Sequence, residues 1–72
     1  MLEIEDSRGK KDTLNNGQRF AAGDRQGNRY EYRYEGIENT ENGFDIHLRN
    51  LTTDTETWVE RAWFRNRVIN VY

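Results

Sequence analysis

The clearest pattern in the chain is an alternation of aromatic and charged residues between positions 29 and 35. Tyr30, Tyr32 and Tyr34 share one face of an extended segment. The residues on its other face are Arg29, Glu31, Arg33 and Glu35. A period of two is typical of a β-strand buried on one side, whereas a helix would spread the tyrosines around its circumference. We predict a strand whose tyrosines cover the core, with stacking on nucleic-acid bases as the alternative use of these rings.

A second strand with the same period follows. Its apolar face carries Phe44, Ile46 and Leu48, and Asp45, His47 and Arg49 lie on its polar face. Gly36 is expected to end the first strand, and residues 39–43, which include an Asn-Gly dipeptide, are expected to form the loop between the two.

Two pairings of these strands keep their apolar faces together. One sets Tyr34 opposite Ile46, and a slip of two residues sets Arg33 opposite Asp45 instead. A slip of one is not expected, because it would turn the apolar face of one strand to solvent.

The rest of the chain adds shorter elements. We predict strands at 18–22, 55–61 and 67–72, a single 3₁₀ turn at 62–66, and a turn at 24–28. With the two strands above, the fold class is all-β: a small five-stranded, partly open barrel with a 3₁₀ turn before the last strand.

The first 16 residues form the weakest part of the pattern. They are mostly polar, with Leu2 and Ile4 as one short strand signal. We expect residues 1–16 to be a polar N-terminal arm or a loose edge strand, and residues 17–72 to be the β-barrel domain.

The segment VERAWFRNRVI, residues 59–69, resembles the end of an SH3-like barrel, in which a short 3₁₀ turn lies between the last two strands. The resemblance covers residues 17–72 and is one of fold. Such minimal barrels are frequent among proteins of phages and mobile elements. Eukaryotic SH3 domains carry an ALYDY-like segment and a proline in the last turn, and this chain lacks both, so recognition of proline-rich peptides is not expected.

Composition limits the function classes. The chain has 72 residues, of which 33% are hydrophobic, so it can bury one thin core and has little to spare for lining a deep catalytic pocket. Its formal net charge is −2, with both signs interleaved, and it lacks the basic excess typical of non-specific nucleic-acid binding. There is no cysteine, no apolar run near the ~18 residues of a membrane span and no basic start of a signal peptide, so we expect a cytoplasmic protein that does not bind membranes.

The sequence contains few residues that could carry out catalysis. His47 is the single histidine, cysteine is absent and Ser7 is the single serine, which leaves no nucleophilic triad and too few ligands for zinc. The carboxylates, including Glu31 with Glu35 and Asp54 with Glu56, are expected to be solvated surface charges. We expect no enzyme activity, no metal and no cofactor.

The segment richest in binding chemistry lies near the C-terminus. Its candidate binding residues are Trp58, Arg61, Trp63, Arg65 and Arg67. Tryptophan and arginine are the residues most enriched at binding hot spots, and arginine beside tryptophan also suits cation–π contacts. The alternative is that the tryptophans cap the open ends of the barrel.

The sequence therefore predicts a small non-enzymatic protein-binding module. Its general resemblance implies an inhibitor or adaptor from a phage or mobile element that acts on a host protein, and we state this as an expectation. Two alternatives stay open: a nucleic-acid-binding barrel that uses the Arg/Trp patch, and a self-associating structural protein that forms a homo-oligomer.

Overall fold

The computed structural model describes residues 1–6, 8–41 and 43–72, and for residues 39, 40, 43 and 44 the backbone alone. It contains seven strands: β1 (Leu2–Glu5), β2 (Lys11–Leu14), β3 (Arg19–Gly23), β4 (Arg29–Thr40), β5 (Gly43–Asn50), β6 (Thr55–Val59) and β7 (Val68–Val71). A 3₁₀ helix, Arg61–Asn66, lies between β6 and β7. All strand pairs are antiparallel, and the all-β class is confirmed.

The strands form two sheets. β1 and β2 make a hairpin, and the other five lie in the order β6-β5-β4-β3-β7. The predicted barrel differs from this, because the five-stranded sheet is not closed and ends at β6 and β7. The 3₁₀ helix and the hairpin cover the core side of the sheet, with Phe64, Leu2 and Leu14 in one buried cluster. The 3₁₀ helix and the hairpin therefore shield the core that a closed barrel would have enclosed.

The tyrosines of β4 face the core, as the alternation predicted. Tyr34 is 2% exposed and Tyr32 9% exposed, and Tyr30 packs half-buried against the same cluster. Phe20 of β3 stacks on Tyr32 with ring centroids 5.5 Å apart. Burial raises the pKa of both Tyr32 and Tyr34, since the ionised phenolate would lose its hydration. These rings are structural and are not free to stack on bases.

Gly36 does not end β4 but bends it. The pairing of β4 with β5 shifts between Tyr34 and Gly36, so that Glu35 and Gly36 together lie opposite His47. This β-bulge places Gly36 at φ +130°, a backbone conformation that residues other than glycine rarely adopt. The strand then continues to Thr40, and part of the predicted loop is therefore strand. The predicted turn residue Asn42 lies outside the described residues.

The register between β4 and β5 is neither of the two predicted. Tyr34 lies opposite Leu48, which moves the pairing two residues the other way and still keeps apolar faces together. Arg33 then faces Arg49, an unfavourable pair by itself. Glu35 pairs with Arg33, and Asp54 pairs with Arg49 at 2.5 Å, so each arginine has a carboxylate beside it.

Residues 1–16, expected to be a polar arm or a loose edge strand, form a hairpin of their own. Leu2 lies opposite Leu14, and the exposed fractions are 1% for Leu2, 3% for Ile4 and 0% for Leu14. β1 packs against the 3₁₀ helix. Leu14 was missed because it stands alone among polar residues, and its apolar partner Leu2 lies 12 positions earlier. The domain boundary at residue 17 stays a prediction.

Replacing Gly36 with alanine tests the bulge. No atom lies within 4 Å of a Cβ built at this position, so the cost comes from the backbone conformation and not from a clash. We expect Gly36→Ala to lower the free energy of unfolding by about 1–3 kcal/mol, measured by urea denaturation.

Gly23→Ala is the matched control. Gly23 lies in β3, and its added Cβ would make ordinary contacts of 3.4 Å with the Asn28 carbonyl and 3.5 Å with Ile69. Its stability should change by less than about 1 kcal/mol. Equal losses in the two variants would argue against a special role for the Gly36 conformation.

Replacing Leu14 with alanine tests whether the hairpin is part of the fold. Because Leu14 is fully buried, Leu14→Ala should cost about 2–5 kcal/mol of unfolding free energy. Thr13→Ala, at the exposed neighbour on the same strand, should change it by less than about 0.5 kcal/mol. If residues 1–16 were a loosely attached arm, Leu14→Ala would be as mild as Thr13→Ala.

Candidate functional site

The predicted binding residues follow β6 into the 3₁₀ helix. Glu60 is extended, with φ −86° and ψ 162°, and its carbonyl accepts the backbone N–H of Trp63 at 3.0 Å. At the other end, the N–H of Arg67 bonds to the carbonyl of Phe64 at 3.3 Å. Phe64 is fully buried, so this one side chain fixes the helix on the core.

A groove of about 360 Å³ lies between this helix and the turn that joins β3 to β4. We call it the Trp63 groove, and its lining residues are Asp24, Arg25, Glu60, Ala62, Trp63, Asn66 and Arg67. Two of the five predicted binding residues are among them. Arg25, which the sequence analysis did not single out, is exposed on the turn.

Trp63 forms a half-buried wall of this groove. Its ring makes edge contacts with Phe64, Tyr32 and Phe20, at centroid distances of 5.1, 5.3 and 6.3 Å. The guanidinium carbon of Arg67 lies 5.7 Å from the Trp63 centroid, within cation–π range. The tryptophan therefore both supports the core and holds an arginine at the groove.

The turn on the other side of the groove is organised by Asp24. One carboxylate oxygen accepts the backbone N–H groups of Gln26 and Asn28, at 2.8 and 2.9 Å. The other accepts the Asn28 side-chain amide at 3.0 Å and the Tyr30 hydroxyl at 3.4 Å. The amide and backbone bonds from Asn28 hold the pKa of Asp24 below its usual range. The carboxylate of Asp24 therefore accepts its hydrogen bonds from its own turn and the strand that follows it.

Arg61 and Arg65 lie elsewhere. They line a cleft of about 260 Å³ between the 3₁₀ helix and the hairpin, together with Glu3, Glu5 and other hairpin residues. Both arginines are exposed. With Lys11, the charged lining is three basic residues against two glutamates, an excess of one basic group.

Trp58 lies on the opposite face of the five-stranded sheet. Its neighbour Thr57 is opposite buried Leu48, so Trp58, opposite His47, points away from the core. Its indole stacks on the His47 ring, with centroids 4.7 Å apart and planes within 6°. The indole N–H donates to Glu38 at 3.0 Å, and Trp58 remains 45% exposed.

His47 lies between two carboxylates. Nδ1 lies 3.1 Å from a Glu38 oxygen, and Nε2 lies 3.3 Å from a Glu56 oxygen. The second contact is within ion-pair distance but lacks hydrogen-bond geometry. Nε2 is buried and has no hydrogen-bond partner among the described residues. Within the described chain, no three His, Asp or Glu side chains are grouped as metal ligands.

The five predicted binding residues thus lie at three places: the Trp63 groove, the cleft beside the hairpin, and the outer face of the sheet. Arg25, Glu38 and Glu56 are partners at these sites that the sequence pattern did not predict. Arg25 could have been found from the sequence, because it follows Asp24 in the predicted turn at 24–28. Glu38 could not be found, since its position depends on the bulge.

Comparisons of the chain with protein-family models, with curated proteins and with solved structures found no match. Among the described residues, no helix has the length and apolar character needed to cross a membrane. The chemistry of the three surfaces is therefore the basis for proposing a function.

Protonation of Asp24 should loosen the turn that forms one wall of the groove. The pKa of Asp24 is lower in the folded state than in the unfolded state, so ionised Asp24 stabilises the fold. This contribution is complete above about pH 4, the ordinary pKa of aspartate, and is lost as the pH falls through the folded-state pKa. We expect Asp24→Asn to be less stable than wild type at pH 7 and to approach it at lower pH. Urea midpoints between pH 2.5 and 7 measure this.

Asp12→Asn serves as the control, because Asp12 lies on the hairpin outside this turn. A gap between wild type and Asp24→Asn that stayed constant with pH would contradict the role given to the Asp24 charge.

Proposed function

We propose that the protein is a non-enzymatic, SH3-like protein-binding module that holds a short acidic segment of a partner in the Trp63 groove. The observation that carries this proposal is a half-buried tryptophan framed by two arginines, Arg25 and Arg67, that have no ion pair within the described part of the chain. The position of the 3₁₀ helix between the last two strands supports the SH3-like resemblance.

The groove is lined by two basic and two acidic side chains, so an acidic partner is favoured by the unpaired arginine donors and not by net charge. Of the two carboxylates that line the groove, Asp24 is occupied by four hydrogen bonds of its own turn, which leaves Glu60. Arg25 and Arg67 both keep donors for an incoming carboxylate. A guanidinium binds a carboxylate with two parallel hydrogen bonds, stronger than bonds between neutral groups.

The groove also offers apolar area beside these charges. Trp63 presents the part of its ring that the core does not cover, and Ala62 lies on the same helix. A central aromatic flanked by arginine is the composition most enriched at binding hot spots. An apolar side chain next to an acidic one in the partner would match this pattern.

The nucleic-acid alternative is less well supported. Arg61, Arg65 and Lys11 share their cleft with Glu3 and Glu5, which would repel phosphates and leave an excess of only one basic group. The rings of Tyr32 and Tyr34 are buried and unavailable for stacking. The third interpretation, a self-associating structural protein, has the free edges of β6 and β7 in its favour. We propose the phage or mobile-element adaptor role as the biological setting of the groove, on the resemblance alone.

Selection of peptides tests the groove without a known partner. A displayed library of random peptides is selected against the immobilised protein, and the affinities of the recovered peptides are measured by calorimetry at fixed salt. We expect peptides with at least one acidic residue beside an apolar one. Arg25→Ala combined with Arg67→Ala should weaken them at least ~10-fold, because charge-assisted hydrogen bonds are lost.

Arg61→Ala combined with Arg65→Ala is the matched control, since it also removes two arginines, and both lie outside the groove. This variant should bind the selected peptides as wild type does. Peptides that depend equally on both pairs of arginines, or that lack acidic residues, would contradict the proposal. Salt-sensitive binding of a single-stranded oligonucleotide at low salt would favour the nucleic-acid alternative instead.

A further inference from the structure

The outer face of the sheet carries an exposed aromatic ring that is already held in place. We call this surface the Trp58 platform and define it by Glu38, His47, Glu56 and Trp58. The indole is fixed on one side by the parallel imidazole of His47 and at its nitrogen by Glu38. An exposed side chain that is held in one orientation loses little conformational entropy when a ligand binds.

Two carboxylates belong to the platform: Glu38 at the indole nitrogen, and Glu56 beside the Nε2 atom of His47. The side chains of Glu38 and Glu56 are 49% and 50% exposed, so both can accept further hydrogen bonds from solvent or a ligand. The positive group beside them is Arg49, which also pairs with Asp54. An aromatic face beside two carboxylates matches a planar cation.

We propose that the Trp58 platform binds an arginine side chain of a partner protein. Its guanidinium stacks on the exposed face of Trp58 and donates hydrogen bonds to the carboxylates of Glu38 and Glu56. Arginine fits better than lysine, because a planar guanidinium can stack and form two hydrogen bonds at once, whereas an ammonium is a compact, strongly hydrated charge. The same carboxylates disfavour a phosphate-bearing ligand.

This inference rests on the proposed function only in treating the chain as a protein-binding module. The platform and the Trp63 groove lie on opposite faces of the sheet and favour opposite charges. One molecule can therefore hold a basic site of one partner and an acidic segment of another, which is the geometry of an adaptor.

The test follows the Trp58 indole N–H signal by NMR in ¹⁵N-labelled protein. The probe is the blocked tripeptide acetyl-Gly-Arg-Gly-amide, with the Lys and Glu tripeptides as comparison ligands. We expect the Arg tripeptide to move the Trp58 signal in a saturable way at low salt, the Lys tripeptide to bind at least ~3-fold more weakly, and the Glu tripeptide to leave the signal unmoved. Equal shifts with Arg and Lys would overturn the proposal.

Variants separate the platform from the groove. Glu38→Gln keeps an oxygen that can accept the Trp58 N–H. The double variant Glu38→Gln, Glu56→Gln should bind the Arg tripeptide several-fold more weakly. Its remaining NMR signals should show that the fold is intact. Arg25→Ala with Arg67→Ala, which tests the groove, should leave Arg affinity unchanged. Loss of Arg binding only in the groove variant would contradict the platform, whereas the groove is tested separately by the selected acidic peptides.

A dilution series of the free protein tests a second copy as the occupant. The Trp58 signal should stay at one position between low and high protein concentration, and sedimentation should show no accompanying growth in mass. Movement of the signal together with dimer formation would show that a copy of this chain fills the platform, and would overturn the assignment to a partner protein.

Discussion

The backbone conformation of Gly36 decides which side chains meet on each face of the sheet. With two residues of β4 opposite one residue of β5, the alternation of the strand is reversed beyond the bulge. Without it, Ile37 would point outward and Glu38 toward the core. With it, Ile37 lies opposite buried Ile46, and Glu38 reaches Trp58 and His47. The inward direction of Ile37, which is still 47% exposed, and the platform on the outer face both depend on this one glycine.

The second constraint is the small amount of apolar material. The five-stranded sheet has one face to cover and no second sheet of similar size to cover it. Two short elements supply the cover: the 3₁₀ helix with Phe64, and the hairpin with Leu2, Ile4 and Leu14. Because each contributes only a few side chains, the loss of one buried leucine removes a large part of the cover.

Local patterns were predictable where a residue's neighbours along the chain determine its position. The tyrosine alternation fixed the strand and its buried face, and the short segment around Phe64 fixed the 3₁₀ helix. The register was not predictable, because several pairings satisfy the same alternation and a bulge admits more. Trp58 and Trp63 are close along the chain and were expected to share one patch, but β6 ends between them and the two rings lie on opposite faces of the sheet.

Charge was the least informative property at the level of composition and the most informative once the faces were known. A net charge of −2 spread over both signs predicts no particular ligand. The fold separates these charges by use: Asp24 is occupied within its turn, which leaves Arg25 and Arg67 available at the groove, whereas Glu38 and Glu56 are exposed beside Trp58. A nearly neutral small domain can therefore present an acceptor of acidic groups on one face and an acceptor of basic groups on the other. Which charges are available to a partner depends on the ion pairs that the fold makes internally, and these follow from strand register, which composition does not contain.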